Sequence, residues 1–113
     1  MRIPARYLPN TVTLEAYTGP QPRGGRTYAA PVNVAAVVVA KSSRRIDARP
    51  DSETNGQEVT TSAHIVVDFD AYVPPGSRVT IHAGTPAAQV VQVVEAGYYR
   101  HPSAPESAQL WTA

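Results

Sequence analysis

Apolar and polar positions alternate with a period of two along most of this chain. Residues 11–18 place Val12, Leu14 and Ala16 on one face and Thr11, Thr13, Glu15 and Tyr17 on the other, which is the pattern of a half-buried strand. Residues 57–68 repeat it: Val59, Thr61, Ala63, Ile65 and Val67 oppose Glu58, Thr60, Ser62 and His64. Residues 32–40 are apolar on both parities, with Val32, Val34 and Val38 against Val37 and Val39. That reads as a strand covered on both sides, by the rest of the domain or by a neighbouring subunit. Val79 and Ile81 mark a short strand, residues 89–99 a longer valine-rich one, and residues 108–112 a closing strand that holds Trp111, the chain's single tryptophan.

The breaks between these runs carry turn chemistry. Residues 19–26 form a Gly- and Pro-rich loop, and residues 100–107 a loop with Pro102 and Pro105. Val73-Pro74-Pro75-Gly76-Ser77 predicts a tight turn, with proline presetting φ at its second position and glycine supplying positive φ at its third. Residues 41–56 turn polar and end in Asn55-Gly56, so the strands on either side predict a long hairpin with a mobile tip. Eleven prolines and seven glycines in 113 residues leave no room for a long helix. About six short strands predict one all-β domain over residues 1–113, a small β-barrel or sandwich. An N-terminal arm (residues 1–10) precedes it and a long hairpin loop (residues 44–58) projects from it. Parity assigns Val12, Leu14, Val34, Val38, Ile65, Val67, Val79, Ile81 and Val93 to the core.

Charge and composition narrow the function. Ten basic residues against nine acidic give a net charge of +1, which is no footprint for a dedicated binder of nucleic acid or anionic membranes. With no cysteine, disulfides and thiolate metal sites are excluded. The longest apolar run, residues 34–40, falls far short of the roughly 20 residues that span a bilayer. Pro4 and Pro9 interrupt the N-terminal stretch where a signal peptide needs a continuous apolar segment, so none is expected.

Candidate chemistry is sparse. His64, Asp68 and Asp70 share parity and offer one imidazole and two carboxylates, a conceivable metal set. Ligands two and four apart on one strand converge poorly, so the reading preferred is a solvated strand face with no metal and no cofactor. Gly-x-Ser-x-Gly, Gly-x-Gly-x-x-Gly and the P-loop pattern are all missing, and no catalytic residue is assigned: the chain reads as a non-enzyme. Arg23-Gly24-Gly25-Arg26 resembles one unit of an RNA-binding tract and is read as a flexible turn. The cluster Arg44, Arg45 and Arg49, offset by Asp47, Asp51 and Glu53, reads on composition as a solvated hairpin.

The order of these pieces carries a resemblance. Leu8-Pro9-Asn10-Thr11-Val12-Thr13-Leu14 with Tyr17-Thr18-Gly19 comes first, then the valine-rich strand and the basic hairpin. Val59-Thr60-Thr61-Ser62-Ala63 and Val73-Pro74-Pro75-Gly76-Ser77-Arg78-Val79-Thr80-Ile81 follow. Over residues 8 to about 112 the chain resembles the head-to-tail stopper (head-closure) proteins of tailed bacteriophages, particularly those of actinobacterial hosts. The resemblance implies a structural protein of the virion neck, assembled in the bacterial host cytoplasm. Its copies would form a ring, of about six with twelve as the alternative, below the portal and adaptor complex. The ring would close the DNA channel and offer the platform for a tail terminator or tail tube protein. Packaged double-stranded DNA would be touched only transiently and non-specifically, and no membrane is involved. Carried onto this sequence, the channel-facing loop would comprise Arg44, Arg45, Asp47, Arg49, Asp51, Glu53, Asn55 and Glu58. Contacts to ring neighbours or the adaptor would come from Arg2, Ile3, Arg6, Tyr7 and Leu8. The loop here mixes both charges and lacks a bulky apolar plug between Asp47 and Gln57. Two other readings stay open: another neck or tail-completion protein, and a small β-barrel nucleic-acid-binding module. The second would need exposed aromatics beside basic residues on one sheet face.

Overall fold

The structure, a computed structural model, describes residues 8–20, 26–50, 53–101 and 104–113. Among these residues ten strands form in chain order: β1 (Asn10–Glu15), β2 (Tyr17–Pro20), β3 (Arg26–Tyr28), β4 (Val32–Val39) and β5 (Ser43–Ile46), then β6 (Glu58–Thr61), β7 (Ala63–Asp68), β8 (Arg78–Ile81), β9 (Gln89–His101) and β10 (Ala104–Thr112). Six of them close a barrel in the order β1-β4-β7-β10-β9-β8, every neighbouring pair antiparallel. The all-β expectation holds, and of its two architectures the barrel forms. The run β1-β4-β7 is followed by a long return that lays β8 beside β1, which is Greek-key connectivity. Closure gives every barrel strand a partner on both sides over at least part of its length.

Alternation does what the sequence requires of it. Val12, Leu14, Ile65, Val67, Val79, Ile81 and Val93 point inward and are buried, together with Ala36, Ala63, Val73, Ala108 and Leu110. Val34 and Val38 are partly buried and pack against this cluster. Each fully buried Val, Leu or Ile contributes about 1.5–3 kcal/mol relative to exposure, so the single interior dominates the stability.

Two small sheets flank the barrel. β2 pairs with β3, and β5 with β6. The sequence reads residues 57–68 as one strand; in the structure it divides at Ser62, whose N–H donates to Thr112 O at 2.8 Å. β6 answers β5 while β7 joins β4 and β10, and the alternation runs unbroken through the division. The turn at residues 74–77 forms as read: Ser77 N donates to Pro74 O at 3.2 Å and Gly76 has φ +95°.

Within one subunit β4 is not covered on both sides, whereas consecutive residues of β9 are, at Val93 and Val94. Both are 0% exposed, while β4 leaves Val32 and Val39 at 56% and 41%. β9 outruns β8, whose pairing with it stops at Gln92. Beyond that point Gly76 N donates to Val93 O and Ala48 N to Val94 O, so two loops take over the free backbone.

Candidate functional site

Two surface features stand out, one at each end of β4. At its start, Leu8, Leu14, Ala16, Ala29, Ala30, Val32, Val34 and Ala35 meet Ala71, Tyr72 and Val73 in an open apolar groove of about 590 Å3. Among the described residues, Asp68 and Asp70 are the acids on its wall. Asp68 ends β7 and caps a single 3₁₀ turn (Phe69–Ala71) by accepting from Phe69 N at 2.7 Å. Tyr72 continues the groove outward: its ring stacks on Tyr98 at 4.4 Å, and Tyr98 meets Phe69 at 4.5 Å. Burial raises the Tyr72 hydroxyl above its ordinary pKa, with Tyr98 adding to the effect. Tyr98 is itself 55% exposed. The result is a contiguous apolar and aromatic surface, the kind of patch that marks an interaction site.

At the end of β4 lies a different surface. Register aligns Val39, His64, Trp111 and Glu95 across β4, β7, β10 and β9. The His64 ring stacks on the Trp111 indole at 4.9 Å with 10° between planes, and its Nε2 is hydrogen-bonded to Gln109 Oε1 at 3.0 Å. The β5–β6 hairpin brings Arg45 over the same indole, its Cζ 4.0 Å from the ring centroid. Lys41, Ser43, Arg45, His64, Gln109 and Trp111 enclose a cleft of about 180 Å3. Glu95 Oε1 lies 3.9 Å from Arg45 Nη1, an ion pair longer than a hydrogen bond.

The residues assigned to a channel loop separate into two groups. Arg44 and Glu58 face solvent across the hairpin, paired at 3.4 Å with side chains 78% and 58% exposed. Glu53 and Asn55 are exposed too, although Asn55 Nδ2 donates to Arg49 O at 2.8 Å. Asp47 and Arg49 depart from the expectation of a solvated, mobile tip. Asp47 is 1% exposed, and its Oδ1 accepts from Arg49 N and Nε, each at 2.9 Å. Its Oδ2 accepts from Arg49 Nη2 at 2.9 Å and from the Thr54 hydroxyl. Arg49 Nη1 then reaches Gln92 Oε1 on β9 at 2.9 Å. These donors compensate the burial of the carboxylate, and the Arg49–Gln92 hydrogen bond fastens the base of the tip to the barrel.

Asp51, Arg2, Ile3, Arg6 and Tyr7 lie outside the described residues, as do Arg23, Gly24 and Gly25. Leu8 is described, and is buried in the groove wall. Of the three side chains weighed as metal ligands, His64 belongs to the Trp111 stack, Asp68 to its cap and Asp70 to the groove; they do not converge. Among the described residues no group of three His, Asp or Glu side chains is placed to hold a metal ion. Sequence reasoning did not foresee the pairing of Arg45 with Trp111, which lie 66 positions apart; alternation could show only that both face outward.

Comparison of the chain with protein-family models, with curated proteins and with solved structures returned no match.

Proposed function

We propose that this protein is a ring-forming structural subunit of a bacteriophage neck, a head-to-tail stopper. The observation that carries the reading is the apolar groove at the start of β4. A 113-residue barrel whose core is already closed has no need of a further apolar surface bounded by Val32, Tyr72 and Tyr98, unless another chain covers it. We take that chain to be a second copy. The residues before Leu8 alternate apolar Ile3 and Tyr7 with basic Arg2 and Arg6, which complements an apolar groove with Asp68 and Asp70 on its wall. The second support is the hairpin of β5 and β6, which stands outside the barrel sheet and carries Arg44, Glu53 and Glu58 on exposed positions. In a ring, such hairpins would meet near the axis as a girdle of mixed charge. Arginines there contact phosphates while the acids prevent a tight hold, which suits a channel that DNA must later leave.

The deciding measurement is the mass of the purified protein in solution, alone and with portal–adaptor complex. The reading expects a closed oligomer in at least one condition. A 12.1 kDa species in both removes it.

A second reading has a specific observation behind it. Arg45 over Trp111, with His64 stacked beside them, supplies the aromatic and basic neighbours on one sheet face that a nucleic-acid module requires. The net charge of +1 makes it the weaker of the two as an account of the whole molecule.

A further inference from the structure

We infer that the cleft formed by Lys41, Ser43, Arg45, His64, Gln109 and Trp111 is an oxyanion site that takes a phosphate group. It rests on these residues alone and holds whether or not the protein forms a ring. Arg45 Nε is enclosed and has no hydrogen-bond partner among the described residues. An enclosed cationic N–H without an acceptor forfeits its hydration for nothing in return, and in native proteins such a group points to a missing partner. The nearest carboxylate, Glu95, stands 3.9 Å from a different nitrogen of the same guanidinium and is 36% exposed. It therefore offsets part of the Arg45 charge without satisfying Nε.

The surroundings specify the partner. Two cations, Lys41 and Arg45, line the cleft, and among the described residues Glu95 is the one carboxylate paired with Arg45, so the local balance favours an anion. A guanidinium over an indole keeps the N–H groups at its rim for oxygen ligands while its face is engaged by the ring. The volume of about 180 Å3 compares with ~30 Å3 per water, so a phosphate fits with a few waters retained. Ser43 Oγ is already engaged with Thr61 Oγ1 at 2.9 Å, and Gln109 Oε1 with His64. Binding therefore falls to Arg45 and Lys41, with the Nε2 amide N–H groups of Gln109 as further donors and the stacked rings as the apolar wall. A phosphate beside stacked aromatics is what a nucleic-acid strand presents. Free phosphate shares the chemistry.

Trp111 is the only tryptophan and forms one wall, so its emission reports occupancy directly. Inorganic phosphate is titrated against chloride at constant ionic strength, and in separate arms a 20-base-pair DNA duplex and its single strand. The expected result is a saturable change in emission that Arg45→Gln abolishes and Lys41→Gln weakens severalfold. Glu95→Gln should tighten binding severalfold, a gain that no folding defect can imitate. Saturation by duplex or strand at far lower phosphate concentration than by inorganic phosphate identifies nucleic acid as the source; saturation by inorganic phosphate alone identifies the free ion. No saturable change in any arm, or unchanged affinity in Glu95→Gln, overturns the site.

Discussion

Asp47 shows how far a single side chain can redirect a loop. It sits in a segment rich in charged and polar residues, from Arg44 to Glu58, and composition alone has that segment in water. Yet Asp47 Oδ1 accepts the N–H of the residue two positions on, an Asx turn, and Arg49 closes on both carboxylate oxygens. The Asp-Ala-Arg-Pro sequence of residues 47–50 holds the signal for that turn; it holds none for Gln92, the distant partner that makes the turn worth burying. Removing one side of a buried pair strands the other, at a cost of about 3–5 kcal/mol. Asp47→Ala is therefore expected to lower the unfolding free energy by about 3 kcal/mol in urea denaturation, with an unchanged slope. A loss below ~1 kcal/mol would mean the loop is as solvated as its composition suggests. Glu15 makes the contrasting case at the surface. Arg78 Nη2 and Nε donate to its two oxygens at 2.6 and 3.0 Å, and Arg78 also lies over the Tyr28 ring at 4.4 Å. The hydrogen bonds from Arg78 hold the Glu15 carboxyl below its ordinary value of 4.5. A lowered folded-state value means that the contribution is complete above the unfolded value and is lost as pH falls through the folded one. Glu15→Gln should then cost up to about 1 kcal/mol at pH 7 and flatten the decline of stability below pH 4.5. Equal acid sensitivity in wild type and variant would contradict the pair.

Among the elements, β9 and the loops around it decide how the barrel closes. β8 is four residues long and β9 thirteen, so the ladder between them leaves part of β9 without a strand neighbour. Gly76 fills that gap, donating to Val93 O at 2.8 Å from a backbone at φ +95°. A Cβ there would lie 3.3 Å from Tyr17 Cγ and 3.4 Å from Pro50 Cδ. Left-handed backbone costs a side-chain-bearing residue roughly 1–2 kcal/mol, and these contacts leave little room to relax. Gly76→Ala should destabilise by about 2 kcal/mol, read as a lower midpoint in thermal or urea unfolding; a neutral substitution would show that the turn can move. This turn was legible, because proline and glycine dictate local geometry wherever they stand. So were β1, β7 and the inward set on β8, where one face is buried and the other is not. Less was legible where the deciding partner is remote. Residues 19–26 read as loop because Gly19, Pro20 and Pro22 dominate them, and residues 11–18 read as one strand, so the β2–β3 hairpin was missed; Arg78 and Ser77, remote in sequence, hold it: Ser77 Oγ accepts from Tyr17 N at 2.9 Å. Valine on both parities of β4 likewise could not say which face stays uncovered. The groove and the Arg45–Trp111 stack were invisible for the same reason, since each is assembled from strands far apart in sequence.

At the scale of the whole molecule, the exposed start of β4 separates folding from assembly. Val32 pairs with Leu14 in the β1–β4 ladder, but its side chain is 56% exposed and lines the groove. A lysine at this position keeps the ladder and reaches solvent in the lone subunit, so its effect on stability should stay within about 0.5 kcal/mol. In an assembled ring the same lysine would bring an ammonium into a dry apolar contact, where an unpaired charge is costly. Val32→Lys is accordingly expected to leave the unfolding midpoint of the isolated subunit unchanged and to abolish the oligomer, with light scattering returning the mass of one chain. Removing residues 1–7 should weaken assembly in the same direction if they cover the groove of a neighbouring copy. The groove reading fails if Val32→Lys still assembles as wild type does, because a surface that accepts a buried lysine without loss is not the surface that joins the subunits.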